Sequence, residues 1–286
     1  LNTVALLLAL LTAFFWAASQ VIGKLAMKYM TPLTFNTLRF AFALFAALPP
    51  VLMMFGIRPY SPWLLFLAFL TAALGWFLGN QLYYAAMKIA PAHLVIPAGN
   101  SYPFWAMILA AVFLGESVGI GYPLSALLIL TGGTLLLGAG LRGSGWRRGI
   151  AMSLLVASIW GVKAVLNKYS VGAGMIPSDL LIYTLLFAFL LFSFSLVARG
   201  GPKRGEINRR SVALVLASGV LGFPLGELLY LTAIGMESVS AVTPLISTTI
   251  LFGFLLSMLL AREKPTWRAA AGTLLIFAGV VVAAIS

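Results

Sequence analysis

Cysteine is absent from the 286 residues, and histidine occurs once, as His93. Disulfides, thiolate nucleophiles and thiolate metal sites are therefore excluded. A histidine-based metal centre or catalytic triad would need partners that the chain does not have. Charge is scarce too: 8% of the residues are charged and 62% are hydrophobic, too little polarity to wet the surface of a soluble domain. Acids are scarcest, 6 against 18 Lys and Arg, for a formal net charge of +12. That excess could suggest a nucleic-acid partner. The basic residues instead lie between or at the ends of apolar runs, which is the pattern of membrane topology signals, so no nucleic acid is expected. No Gly-rich loop ends in Lys-Ser or Lys-Thr, so a nucleotide-driven enzyme has no phosphate cradle. The segment 1–11 is apolar with no basic head or cleavage site, and reads as part of a span rather than a signal peptide.

What remains is apolar sequence, with a mean hydropathy of +1.07. One bilayer span takes roughly 20 apolar residues, so the chain has room for about ten. The breakers divide it into helices over 3–27, 33–55, 63–88, 93–114, 120–141, 149–171, 177–197, 211–236, 240–261 and 267–286. A basic, Gly-rich stretch at 142–148 links residues 1–141 to residues 149–286. The runs are too long for membrane strands and lack their alternation. The fold expected is an all-α polytopic membrane protein.

An internal repeat organises these spans. Segment 74–83, LGWFLGNQLY, lies over segment 221–230, LGFPLGELLY. The same offset pairs Ala86 with Ala233, Pro97 with Pro244, Glu116 with Glu263, Leu127 with Leu274 and Gly132 with Gly279. Slightly different offsets pair Trp16 with Trp160, Lys24 with Lys168 and Pro32 with Pro177. Matched Trp, Tyr, Pro, Gly and Glu are hard to obtain by chance in apolar sequence. Two halves of five spans each make the second enter the membrane from the opposite side, an inverted repeat of the kind carriers use. Lys28, Lys88, Arg142, Arg147, Arg148, Arg199, Lys203, Arg204, Arg209, Arg210, Arg262, Lys264 and Arg268 fall on one expected face, and Arg58 on the other. The basic face is expected in the cytoplasm, with both chain ends outside.

These features resemble the drug/metabolite transporter superfamily: about ten spans in two halves, a Trp deep in the first helix of each, and Gly-Glu or Arg-Glu after the fourth and ninth spans. The segment 113–116, FLGE, followed by 127–133, LLILTGG, is typical of its EamA-type repeats, and 260–263 with 274–279 is the second copy. The resemblance covers the whole chain and is nearest to the bacterial YddG-type aromatic amino-acid exporters. It implies export of amino acids or related metabolites across the bacterial inner membrane, by alternating access through a cavity between the halves. No cofactor is implied. Many relatives carry a basic loop after the second helix, which would put their ends inside. Here that loop holds only Arg58, and the charge pattern points the other way.

Polar side chains deep in a span face a cavity or a partner, not lipid. Trp16, Gln20 and Lys24 recur every four residues on one face of the first helix. Trp76, Asn80, Tyr83 and Tyr84 do so on the third, and Trp160, Lys163, Asn167 and Lys168 on the sixth. Arg39 on the second helix has Tyr183 expected near it by pseudo-symmetry. Asn100, Ser101 and Tyr102 on the fourth and Ser247, Thr248 and Thr249 on the ninth are weaker candidates, since Ser and Thr in spans often bond their own helix. Lys24 and Lys168 stand near helix ends and could equally snorkel to headgroups. Glu116 and Glu263 are expected to cap or anchor helices. Tyr83 and Tyr230 occupy matched positions, as do Asn80 and Glu227, and Glu227 is the sole carboxylate well inside a span. Two roles compete for it: binding a substrate ammonium, or carrying a coupling proton. Basic groups, one acid and aromatic walls suit a zwitterionic amino acid. Organic anions and sugar phosphates, or broader drug and metabolite efflux, remain the alternatives. A membrane enzyme, a multi-subunit channel and a passive scaffold fit less well, and a monomer suffices because the repeat supplies its own pair.

Overall fold

A computed structural model of the chain describes residues 2–54, 56–115 and 145–285, with scattered positions between 116 and 144. Among these residues it is all-helical. Seven helical stretches are long and apolar enough to cross a membrane. They are α1 (Thr3–Ala26), α2 (Pro32–Met54), α3 (Pro62–Ile89), the broken pair α4 (Ala92–Gly99) and α5 (Tyr102–Leu114), α6 (Gly145–Gly172), α7 (Pro177–Ala198) and α8 (Arg209–Met236). Three shorter helices follow: α9 (Val239–Ile246), α10 (Thr249–Leu260) and α11 (Trp267–Ile285). Of the expected fifth span, 120–141, only scattered positions are described, and Glu116 and residues 142–144 lie outside the described residues.

Helix is the form that lets an apolar segment satisfy its own backbone where water is absent. The starts are written in the sequence. Asn2 caps α1 by accepting from the Val4 N–H, and Asn208 with Ser211 forms a reciprocal capping box on α8. Pro32, Pro62 and Pro177 occupy first-turn positions, where a missing N–H costs nothing. Large apolar side chains such as Met53, Val112, Phe113 and Phe194 are exposed on the outer surface, as lipid-facing residues are.

Three local features differ from the sequence reading. The linker does not run to residue 148, because α6 already begins at Gly145, with Trp146 buried at its start. The fourth expected helix is broken at Asn100 and Ser101, ahead of Pro103, and the ninth at Ser247 and Thr248. Two stretches widen into π-helix, Thr71–Gly79 inside α3 and Leu221–Glu227 inside α8. They overlap the aligned LGxxLG segments, and a π turn is where a helix yields local regularity to a site.

The packing is reciprocal. α1 lies against α8, α9 and α10, whereas α6 lies against α3, α4 and α5. Each half thus wraps its first helix in the third and fourth helices of the other. Lys24 donates to the Met87 and Ala90 carbonyls at the end of α3. Lys168 donates to the Ile234 and Glu237 carbonyls at the end of α8, at 2.8 and 2.9 Å. Both neutralise orphan carbonyls at the negative end of a helix, a third option beyond cavity lining and snorkelling.

Two acids fasten the loops. Glu206 accepts from the Thr31 N–H at 2.7 Å, the Thr34 hydroxyl and the Lys203 N–H at 3.1 Å, tying the 199–208 loop to the start of α2. Burial pushes its carboxyl up, but these hydrogen bonds outweigh it and hold the group below the ordinary carboxylate value. Glu263 accepts from the Ala92 N–H at 2.8 Å, the His93 N–H at 2.9 Å and His93 Nδ1 at 2.8 Å, capping α4. Burial again pushes up and the His93 and backbone donors again win, leaving this carboxyl low.

Candidate functional site

The two π segments meet through their side chains. Trp76 in one and Phe223 in the other are repeat counterparts, and their rings meet edge to face at 5.0 Å and 88°. Each carries a cation from the opposite half. Lys163 Nζ lies 3.5 Å from the Trp76 ring centroid, and Arg39 Cζ lies 4.7 Å from that of Phe223.

The widened turns also present carbonyls sideways. Trp16 Nε1 donates to the Gly222 carbonyl and Trp160 Nε1 to the Gly75 carbonyl, both at 3.1 Å. Such close approach needs glycine. A Cβ on Gly226 would lie 2.5 Å from Trp16 Cδ1, and one on Gly79 2.8 Å from Trp160 Nε1. The matched Trp, the matched Gly and the matched π turns are one device used twice.

Around this ring contact lies a cavity lined by Trp16, Gln20, Arg39, Trp76, Asn80, Tyr83, Tyr84, Asn100, Tyr102, Trp160, Lys163 and Tyr230, with Ser19, Ala164, Gly222 and Phe223. Its water-accessible space is ≈ 50 Å³, room for roughly three or four waters. The charged groups are not solvated: Arg39, Lys163 and Glu227 are 5%, 4% and 1% exposed. Lys163 Nζ forms an ion pair with Glu227 Oε1 at 2.8 Å, and Asn167 Nδ2 approaches the same oxygen at 3.4 Å. On the other flank, Gln20 Oε1 accepts from the Tyr83 hydroxyl at 3.0 Å and from Asn100 Nδ2 at 2.9 Å.

Arg39 has no acidic partner among the described residues. One Nη donates to Ser19 Oγ at 2.8 Å, and Phe223, Tyr84 and Phe35 surround the guanidinium. Its Nε is buried without a hydrogen-bond partner, as are Glu227 Oε2, Asn80 Nδ2, Trp76 Nε1 and the Tyr102 and Tyr230 hydroxyls. Buried polar atoms are ordinarily satisfied, so this cluster around one cavity calls for water or a polar ligand as its partner.

The sequence candidates divide by place. Glu227 and Asn167 stand behind Lys163 and reach the cavity through it. Lys24 lies at the end of α3. Thr248 bonds the Leu245 carbonyl of its own chain turn at the break before α10, and Ser247 is buried beside it. Tyr183 does not line the cavity that Arg39 lines. Its hydroxyl donates to the Arg58 carbonyl at 2.9 Å, in a group where the Tyr60 hydroxyl donates to buried Asp179 at 2.7 Å. α7 points this residue at the loop after α2. Two contributors were passed over in the sequence. Ser19 bridges Arg39 to Ser218, and Phe223 stacks on Arg39. Phe223 could have been found as the repeat partner of Trp76.

Known proteins share this architecture. A crystal structure superposes with a TM-score of 0.70 at 20% sequence identity, covering 98% of this chain and 95% of that one, a likeness of fold. An uncharacterized transporter of Archaeoglobus fulgidus is 24% identical over 277 residues, 97% of this chain and 96% of that protein. Residues 3–138 and 147–285 each match the EamA-like transporter family, so the duplication read from the sequence is one family unit met twice. The chain belongs to the EamA-like transporter family.

Proposed function

We infer that the chain is an alternating-access carrier that exports amino acids or related carboxylate metabolites through the central cavity. The observation that carries this is Arg39, a buried guanidinium on the cavity wall with no acid beside it among the described residues. An uncompensated cation is costly there unless an anion joins it, and a substrate carboxylate is such an anion. Glu227, the orphan amides and the aromatic walls add partners for an ammonium and an apolar side chain. Ten spans in two inverted halves are part of this proposal. The double family match and the reciprocal packing of α1 and α6 support it. The proposed home is the cytoplasmic membrane, with the basic loops inside.

The test is counterflow in proteoliposomes across amino acids. Saturable uptake, accelerated by substrate inside and strongly reduced in Arg39→Gln, is expected; flux that never saturates would sink the carrier. One observation favours a second reading. Glu227 is already paired with Lys163, leaving Arg39 as net charge and favouring an organic anion. Comparing phenylalanine with phenylpyruvate separates the two, since only the first carries an ammonium.

A further inference from the structure

The ammonium of Lys163 sits in an unusually complete cation site. Trp76 lies beneath it at 3.5 Å from the ring centroid, and Tyr230 and Trp16 flank it at 5.4 and 5.5 Å. Glu227 Oε1 faces it at 2.8 Å, while Oε2 of the same carboxylate is buried without a partner. Several aromatic faces and one carboxylate are what chemistry offers to recognise an alkylammonium ion. Here the protein's own side chain is the occupant.

The pair is a poor choice if stability were its only purpose. Desolvating two charges offsets most of their attraction, and an apolar pair of similar volume would hold the helices as well. The long, flexible lysine stem is suited to leaving and returning. The stem also packs where only glycine leaves room: a Cβ on Gly75 would lie 2.7 Å from Lys163 Cγ.

We propose that Lys163 is a tethered cation that occupies the ammonium subsite of the empty carrier, and that an amine-bearing substrate displaces it from Glu227 and the aromatic cage. The inference rests on the amino-acid reading above and deepens it. With Lys163 in place, the empty cavity holds Glu227 neutralised. With substrate in place, the substrate ammonium takes over Glu227, and the displaced lysine faces the substrate carboxylate beside Arg39. Glu227 is paired in both states, and Arg39 gains its anion only when substrate is bound. The tether makes Lys163 a competitor at high effective concentration, so it weakens every free ammonium ligand by the fraction of time it fills the site.

The test uses n-butylammonium, which carries an ammonium and no carboxylate, titrated calorimetrically into the purified full-length protein. Lys163→Met is expected to bind it at least about tenfold more tightly than the native protein. Lys163→Gln removes the charge but keeps a donor to Glu227. It is expected to show the same direction and serves where the methionine variant does not fold. Adding Glu227→Gln to either is expected to abolish the gain. Equal affinity in native protein and both single variants would overturn the proposal, as would a gain that survives Glu227→Gln. Neither result depends on transport. If the native protein shows no saturable counterflow for any amino acid or carboxylate, the functional reading fails while the cage is still judged by this titration.

Discussion

Buried charge is the dominant residue-scale feature, and its cost is asymmetric. Removing one partner of a buried pair leaves the other stranded, whereas replacing both by apolar groups is close to neutral. Glu227→Leu alone is therefore expected to cost about 3–5 kcal/mol of stability, and Glu227→Leu with Lys163→Met to recover most of it. Thermal unfolding in detergent measures both, and equal losses in the single and double variants would contradict an ion pair. Glu206 offers a pH test outside the membrane. Its carboxyl is held below its ordinary value by Thr34, Thr31 and Lys203, so the folded state binds its proton less readily than the unfolded state. The contribution is then present above the ordinary glutamate range, near pH 4.3, and is lost as pH falls through the lowered folded value. Glu206→Gln is expected to lower the melting temperature at neutral pH, by an amount that shrinks on acidification. A difference that does not change with pH would show that the carboxylate's charge is irrelevant.

At the scale of elements, the paired π segments define the centre. Gly226→Ala and Gly79→Ala each push a Cβ into an indole that must stay within reach of a carbonyl. Each is expected to destabilise by about 1–3 kcal/mol and to impair transport, Gly226 more than Gly79 because its clash is closer. Gly172→Ala is the control, since nothing stands within 4 Å of its added carbon. Equal behaviour of all three would remove the close-packing argument. These elements also show what a sequence can reveal. Hydropathy located α1 to α3 and α6 to α8 because a span must be continuously apolar. Repeat matching brought Trp16, Trp160, Tyr83 and Tyr230 to one cavity, because duplicated packing keeps its large side chains. The π turns left no trace in hydropathy, since widening a helix changes its hydrogen-bond step and not its composition. The breaks at Asn100 and Ser247 were equally silent for that measure, but prolines mark them: Pro97 and Pro103 flank the first, Pro244 precedes the second, and Pro224 lies in the π stretch of α8. The pairing of Lys163 with Glu227 across α6 and α8 lay beyond reach, because partners between distant helices are set by packing. Lys24 was ambiguous for a similar reason: a long side chain near a helix end has lipid, cavity and backbone all within range.

For the whole molecule, the decisive question is which face meets the cytoplasm. The 199–208 loop, the Arg262–Lys264 turn and Lys28 would share one face of an inverted ten-span arrangement, and the Arg58 loop and the Ala173–Gly174 turn the other. A strong excess of Lys and Arg marks the first of these, and such an excess is retained inside during insertion. The absence of cysteine makes the test clean, because every introduced thiol is the sole target. Lys203 and Ala173 are both exposed, on the two loops in question. In intact cells, Lys203→Cys is expected to resist a membrane-impermeant maleimide until the membrane is opened, whereas Ala173→Cys reacts at once. The reverse pattern would turn the protein over and place its ends in the cytoplasm, and the basic loops would then have some purpose other than topology. Labelling of both positions from the same side would be more serious. It would break the odd-span halves on which the inverted repeat depends, and with them the symmetry by which one fold, used in two orientations, could open the same cavity alternately to either side.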